Sequence, residues 1–221
     1  MKMQMHTILF ATLLSGTIAG TSVSAQDWSG GYWGATLGYG AGSYEQGDLT
    51  LGEFGPTVDV DGAFLGLRYG RNWQAGTAVW GFDADISSGI DGITPLDTLG
   101  PIYACFTGDC NVSINALLTL RGRYGVLINP QTLVYGAAGI AAGKIEGGIF
   151  SSSFQGSSTA VGYTLAAGTE RTVSDKMSVF AELNHVDLGV LEFGRSSALP
   201  SVDYDGEGSF STVKVGVNIR F

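Results

Sequence analysis

The last nine residues of the chain, 213–221, read VKVGVNIRF and decide the fold. Apolar and polar residues alternate through this stretch, and successive side chains of a β-strand point to opposite faces. The stretch is therefore predicted to be a strand whose apolar face packs on a core in a soluble sandwich or faces lipid in a membrane barrel. The apolar face carries Val213, Val215, Val217, Ile219 and Phe221, and the polar face carries Lys214, Gly216, Asn218 and Arg220.

The same alternation recurs along the chain and predicts about eight strands. Between residues 78 and 87, Trp80 and Phe82 lie on an apolar face, and Asp83 and Asp85 lie on the other. Charged residues opposite a uniformly apolar face are typical of a membrane barrel with a polar lumen. We therefore predict an all-β fold, an eight-stranded antiparallel up-and-down transmembrane β-barrel.

The lengths of the connections support the barrel over the sandwich. An up-and-down barrel places successive connections at alternate ends, and outer-membrane barrels keep short turns in the periplasm and long loops outside. A soluble sandwich predicts no such alternation. Short connections lie near 71–76, 127–131 and 173–177, after even-numbered strands, and long ones lie near 44–57, 88–111, 146–158 and 189–208, after odd-numbered strands.

The inward faces of these strands carry a set of charged residues. An eight-stranded barrel is only just wide enough for side chains to fill its interior, and buried charges need partners. We predict that these residues form an ion-pair and hydrogen-bond network that closes the lumen; the alternative is a narrow path whose selectivity they set. The candidates are Arg68, Asp83, Asp85, Arg121, Arg123, Lys144, Glu170, Glu182, Lys214 and Arg220.

The amino-terminal region has the pattern of a secretory signal. Lys2 supplies a positive start, residues 8–18 are apolar, and Val23-Ser24-Ala25 forms a small-residue cleavage site. This apolar stretch is too short for a membrane-spanning helix. We predict a cleaved signal peptide over residues 1–25 and an outer-membrane barrel domain over 26–221.

Export also bears on Cys105 and Cys110, which lie in one predicted loop. Oxidising compartments favour disulfides, so this pair is predicted to form one. A metal site would need more ligands, and the one histidine of the mature chain, His185, is distant in sequence. We therefore predict neither a metal nor a cofactor.

Composition excludes other classes of protein. The net charge of -9 argues against nucleic-acid binding, which favours basic patches. The 35 glycines lie within apolar runs, whereas disorder requires low hydrophobicity. His185 and Asp187 could form a dyad, but the nearby sequence offers no serine, so the chain is predicted not to be an enzyme.

Tyrosines and tryptophans lie near the ends of the predicted strands. Such residues suit a membrane interface, where an apolar ring and a polar tip both find matching surroundings. Ordinary core packing is the alternative. The residues concerned are Trp28, Trp33, Tyr39, Tyr69, Trp73 and Tyr124.

Four segments and the terminal Phe221 resemble the porin-family small outer-membrane β-barrels of Gram-negative bacteria, of the eight-stranded OmpA/OmpX type. The resemblance covers essentially the whole mature chain and implies an outer-membrane barrel. It also implies that the barrel-assembly machinery recognises Phe221 and the alternate apolar residues before it. The loop 88–111, with its two cysteines, departs from the family pattern. The segments are WSGGYWGA at 28–35, LRGRYG at 120–125, VYGAAG at 134–139 and AELNHVDLG at 181–189.

These observations predict a non-enzymatic outer-membrane protein that contributes to envelope structure and surface presentation, with membrane lipid as its surroundings. One alternative is a narrow porin or an uptake protein for a haem-like or small hydrophilic solute. Another is a soluble secreted barrel that binds a ligand, whose lining would be apolar inside and polar outside. The oligomeric state stays open.

Overall fold

The computed structural model describes residues 27–48, 53–94, 110–149, 155–195 and 203–221, and its elements form one closed antiparallel barrel. Each strand pairs with its neighbours in sequence, and β1 closes the barrel against β8. This confirms the predicted fold class. The strands are β1 (Gly30–Asp48), β2 (Glu53–Ala75), β3 (Ala78–Thr94), β4 (Cys110–Asn129), β5 (Thr132–Ile149), β6 (Gln155–Thr172), β7 (Met177–Arg195) and β8 (Asp203–Arg220).

Three short connections lie at one end of the barrel, which we call the turn end; the other is the distal end. They comprise residues 76–77, 130–131 and 173–176. Gly76 has a φ of 60°, in the left-handed region that glycine adopts without strain. The sequence predicts the first turn near 71–76, but β2 continues through Ala75, so the turn is confined to two residues. Within the described ranges, no helix is long and apolar enough to cross a membrane.

The half of the barrel next to the turn end has an apolar outer surface. On β8 the exposed apolar residues run from Val213 to Phe221, and their nine-residue span matches the ~9–11 that a tilted strand needs to cross a bilayer. Trp33 and Tyr69 contact each other on this surface, with ring centroids 4.7 Å apart and ring planes tilted by 54°, and both residue types are typical of an interfacial girdle. Of the six predicted girdle residues, Trp28 is the exception, because it is buried inside the barrel.

The distal half reverses this pattern, with apolar residues inside and polar residues outside. On β2, Val60 and Phe64 point inward while Asp59 and Asp61 point outward. The inversion is that of a barrel surrounded by water. The buried apolar residues, which we call the distal layer, are Tyr44, Val60, Phe64, Ile114, Leu117, Ala141, Ile145, Ala160, Val186, Leu188 and Phe210.

Irregular pairing marks the change between the two halves. The registers shift between Asp61 and Gly66 on β2 and between Ile114 and Ala116 on β4. On β4 the added residue changes which residues face inward, whereas on β2 Val60, Phe64 and Arg68 face inward on both sides of the irregularity. Simple alternation would place Ile114 on the outer face with Leu118, but Ile114 is buried in the distal layer.

Candidate functional site: the charged lumen

The centre of the lumen is a carboxylate held by two guanidinium groups. Glu182 of β7 lies 3.1 Å from Nη2 of Arg68 and 2.8 Å from Nη1 of Arg121. The hydroxyl of Tyr135 also donates a hydrogen bond to Glu182, at 2.9 Å. All three charged side chains are fully buried. Charge-assisted hydrogen bonds of this kind are about twice as strong as neutral ones. Here they join Glu182 on β7 to Arg68 on β2 and Arg121 on β4, across the lumen.

Two aspartates of β3 extend this cluster. Oδ1 of Asp83 accepts a hydrogen bond from Nε of Arg121 at 2.8 Å and lies 2.7 Å from its Nη2. Asp85 lies 3.4 Å from Nε of Arg68 and 3.2 Å from Nζ of Lys214. Asp83–Arg121 and Asp85–Arg68 join adjacent strands, whereas the lysine approaches from β8, so the Asp85–Lys214 pair crosses the lumen between strands that are not neighbours.

A second cluster lies nearer the turn end. Nη2 of Arg123 is 2.8 Å from Glu170, and its Nη1 donates to the hydroxyl of Tyr32 at 3.0 Å. Glu170 also accepts hydrogen bonds from Ser178 at 2.5 Å and from Asn218 at 2.9 Å. Both charges are therefore buried with partners, as burial of ions requires.

Together the two clusters are electrically balanced. Because unpaired charges are costly in a dry interior, equal numbers of opposite charges allow the lumen to be filled without free ions. The cations are Arg68, Arg121, Arg123 and Lys214, and the anions are Asp83, Asp85, Glu170 and Glu182.

Eight of the ten predicted lumen residues belong to these two clusters, and two do not. The prediction for Lys144 is wrong: its side chain is 58% exposed and faces outward, 3.5 Å from Glu146. The Gly-Ala composition of β5 carries no alternation that could fix its facing, and Ile145 is the inward residue instead. Arg220 points inward but lies at the mouth of the turn end, outside the ion-pair clusters.

The segment before β1 closes that mouth. The indole of Trp28 is 1% exposed, and its Nε1 donates to the Pro130 carbonyl at 3.3 Å. The guanidinium of Arg220 lies 5.2 Å from the Trp28 ring and donates to the Asp27 carbonyl at 3.0 Å. Hydrogen bonds from the backbone and side chain of Ser29 lower the pKa of the Asp27 carboxyl. Trp28 therefore acts as a plug at the turn end.

Sequence reasoning missed the aromatic and neutral partners of the charges. Tyr32 and Tyr135 were not assigned to the lumen, although Tyr32 alternates with Trp33 and so belongs to the inner face. Ser178 and Asn218 also sit at inward positions by the same alternation. The alternation of β1 and β8 could have identified Tyr32 and Asn218.

The fold places His185 next to a side chain that the sequence does not bring near it. Nδ1 of His185 lies 3.1 Å from Oγ of Ser211 on β8, a serine that is distant in sequence. The carboxylate of Asp187, however, accepts hydrogen bonds from the Gly189 amide and the Tyr163 hydroxyl. No contact orients His185 through Asp187 among the described residues, so the three do not form a triad. Cys105 lies outside the described residues, as do residues 1–26, so the disulfide and signal peptide stay predictions.

The closed barrel, its apolar belt and its filled, ion-paired lumen define an outer-membrane β-barrel protein. The family described as "Outer membrane protein beta-barrel domain" matches residues 10–221, and the chain belongs to that family. It is thereby placed in the outer membrane, as predicted.

Known relatives agree with this assignment. The "22 kDa outer membrane protein" of Rhizobium leguminosarum bv. viciae is 28% identical over 197 residues, covering 89% of this chain and 80% of the relative. The "31 kDa outer-membrane immunogenic protein" of Brucella melitensis is 27% identical over 217 residues, covering 90% and 86%. The solid-state NMR structure of outer membrane protein AlkL shares the fold, with a TM-score of 0.51 and 14% identity, covering 94% of this chain and 97% of AlkL.

Proposed function

We propose that this protein is a non-conducting, non-enzymatic barrel that contributes to envelope structure and presents its distal half at the cell surface. The observation that carries the proposal is the filled lumen. The balanced ion pairs around Glu182 lie between the plug at Trp28 and the distal layer. A solute would have to displace side chains at the Trp28 plug, in the ion-pair clusters and in the distal layer.

The absence of catalysis is part of the same proposal. Acyl-transfer sites need a nucleophile, a base and a group that orients the base. Ser211 and His185 could supply the first two, but Asp187 hydrogen-bonds Tyr163 and Gly189 instead. This arrangement supports a non-catalytic surface.

We also propose that the terminal strand is the segment recognised by the barrel-assembly machinery. Its apolar residues Val213, Val215, Val217, Ile219 and Phe221 all face outward. An apolar row on the outer face of one strand is accessible to a binding partner before the barrel is inserted into the membrane. The resemblance of the terminal segment to small outer-membrane barrels points to the same role.

Planar-bilayer recording tests the proposal of a closed lumen. The refolded wild-type protein should add no current steps to the background of the membrane, whereas a wide porin recorded in the same bilayer should give clear steps. Heat-modifiable migration on a gel establishes that the inserted sample is folded. Reproducible, ion-selective steps from the wild-type protein would contradict the proposal and support the narrow-pore alternative.

A further inference from the structure

A cleft of about 490 Å³ indents the outer surface of the barrel across β6, β7 and β8. Its volume falls within the range of small-molecule sites. It is concave because Ala167 and Ser211 are small beside branched neighbours. Its outer walls are two rows of cross-strand neighbours, Leu165, His185 and Ser211 in one and Ala167, Leu183 and Val213 in the other.

On β7 and β8 the cleft lies where the apolar belt ends. Leu183 and Val213 belong to the exposed apolar surface, while Asp187, one row beyond His185 toward the distal end, is polar. Tyr163, which pairs across the strands with Asp187, sends its hydroxyl to that carboxylate. Tyrosines with this orientation mark a membrane interface. The row of Ala167, Leu183 and Val213 therefore lies in hydrocarbon. The row of Leu165, His185 and Ser211 lies at the level of lipid esters and headgroups.

The polar end of the cleft can donate a hydrogen bond in either tautomer of His185. Nδ1 of His185 and Oγ of Ser211 share one hydrogen bond at 3.1 Å. If the imidazole donates it, the serine hydroxyl proton is left over; if the serine donates it, the Nε2 proton is left over. Among the described residues Asp187 accepts from Gly189 and Tyr163, and no hydrogen bond joins it to His185. Lipid ester and phosphate oxygens, which only accept, are complementary to this end.

We propose that this cleft binds one acyl chain of lipid A in the outer leaflet, with an ester or phosphate oxygen of the lipid accepting from the His185–Ser211 pair. Lipid is the occupant because the surrounding surface is the membrane-facing belt. With the turn end in the periplasm, as in this class of barrel, the cleft faces the outer leaflet.

The test is lipid retention measured by native mass spectrometry. The protein is refolded in phosphatidylcholine vesicles that contain hexa-acylated lipid A and is then extracted into mild detergent. Wild type should keep one intact lipid A. Ala167→Trp, which fills the cleft, should lower the retained fraction at least tenfold. Ala35→Trp, a matched outward alanine on β1, should retain lipid as wild type does.

A second variant separates the polar end from the apolar cleft. The double variant His185→Leu/Ser211→Ala keeps the cleft but removes both possible donors, so retention should fall several-fold while gel migration shows a folded barrel. Equal retention by wild type and Ala167→Trp, no retained lipid in wild type, or phosphatidylcholine retained in place of lipid A would each overturn the proposal. So would the mass of a protein dimer without lipid, which would show that a second copy covers the cleft.

Discussion

Glu182 makes the central contacts of the charged lumen. It accepts hydrogen bonds from Arg68, Arg121 and Tyr135, which come from β2, β4 and β5. Neutral replacement would leave two guanidinium groups buried with a shortage of negative charge. Removing one member of a buried ion pair costs much more than the net contribution of the pair, because the remaining charge is stranded.

Glu182→Gln should therefore lower the free energy of unfolding by about 3–5 kcal/mol. Urea-induced unfolding from lipid vesicles, followed by intrinsic fluorescence, measures the change. Glu207→Gln removes an exposed carboxylate from β8 and should change stability by less than about 0.5 kcal/mol. If both variants unfold like wild type, the lumen network does not stabilise the barrel.

At the residue level, the sequence was informative wherever alternation was unbroken. Asp83 and Arg121 lie on strands with a clear apolar opposite face, so their inward direction could be predicted. Lys144 follows a run of glycine and alanine that fits either facing, and the prediction for it was wrong. The burial of Trp28 depends on contacts with Pro130 and Arg220 that are far away in sequence.

At the scale of one element, β8 passes through two environments. From Val213 onward its outward residues are apolar, whereas Ser209 and Glu207 face outward in the distal half. Inside, Phe210 belongs to the distal layer and Lys214 to the ion pairs. The strand therefore reverses its apolar face near Ser211, where hydrocarbon gives way to water.

This reversal predicts a dependence on depth for charged substitutions on one face of β8. Val217→Arg, near the middle of the apolar run, should destabilise the barrel by about 2–4 kcal/mol, and Ser209→Arg by at most about 1 kcal/mol. Urea unfolding from vesicles compares them directly. Equal costs would mean that the belt of lipid does not end where the outward residues become polar.

The sequence predicted the strands but not their lengths. Alternation identified each membrane-crossing segment, and Asn129-Pro130 located a turn that the structure has at 130–131. The distal parts of the strands reverse their pattern and include bulges, such as that between Ile114 and Ala116. The sequence therefore predicts a loop at 44–57, whereas in the structure β1 extends to Asp48 and β2 begins at Glu53.

At the scale of the whole molecule, the barrel is polarised. Outward acids, among them Asp59, Asp61 and Glu207, lie on the distal half, and outward bases such as Arg71 and Arg171 lie near the turn end. The lumen is closed by Trp28 at one end and by the distal layer at the other. The two halves thus have separate roles: one anchors the barrel in lipid, and the other stands in water.

This polarity predicts which end is accessible from outside the cell. Ser43→Cys, an outward position on the distal part of β1, should react with a membrane-impermeant maleimide in intact cells. Ser174→Cys, in the turn between β6 and β7, should react only after the outer membrane is permeabilised. The wild-type chain measures any background from Cys105 and Cys110, which should be low if they form the predicted disulfide. Labelling of Ser174→Cys but not Ser43→Cys in intact cells would reverse the orientation, because the short turns would then lie at the cell surface.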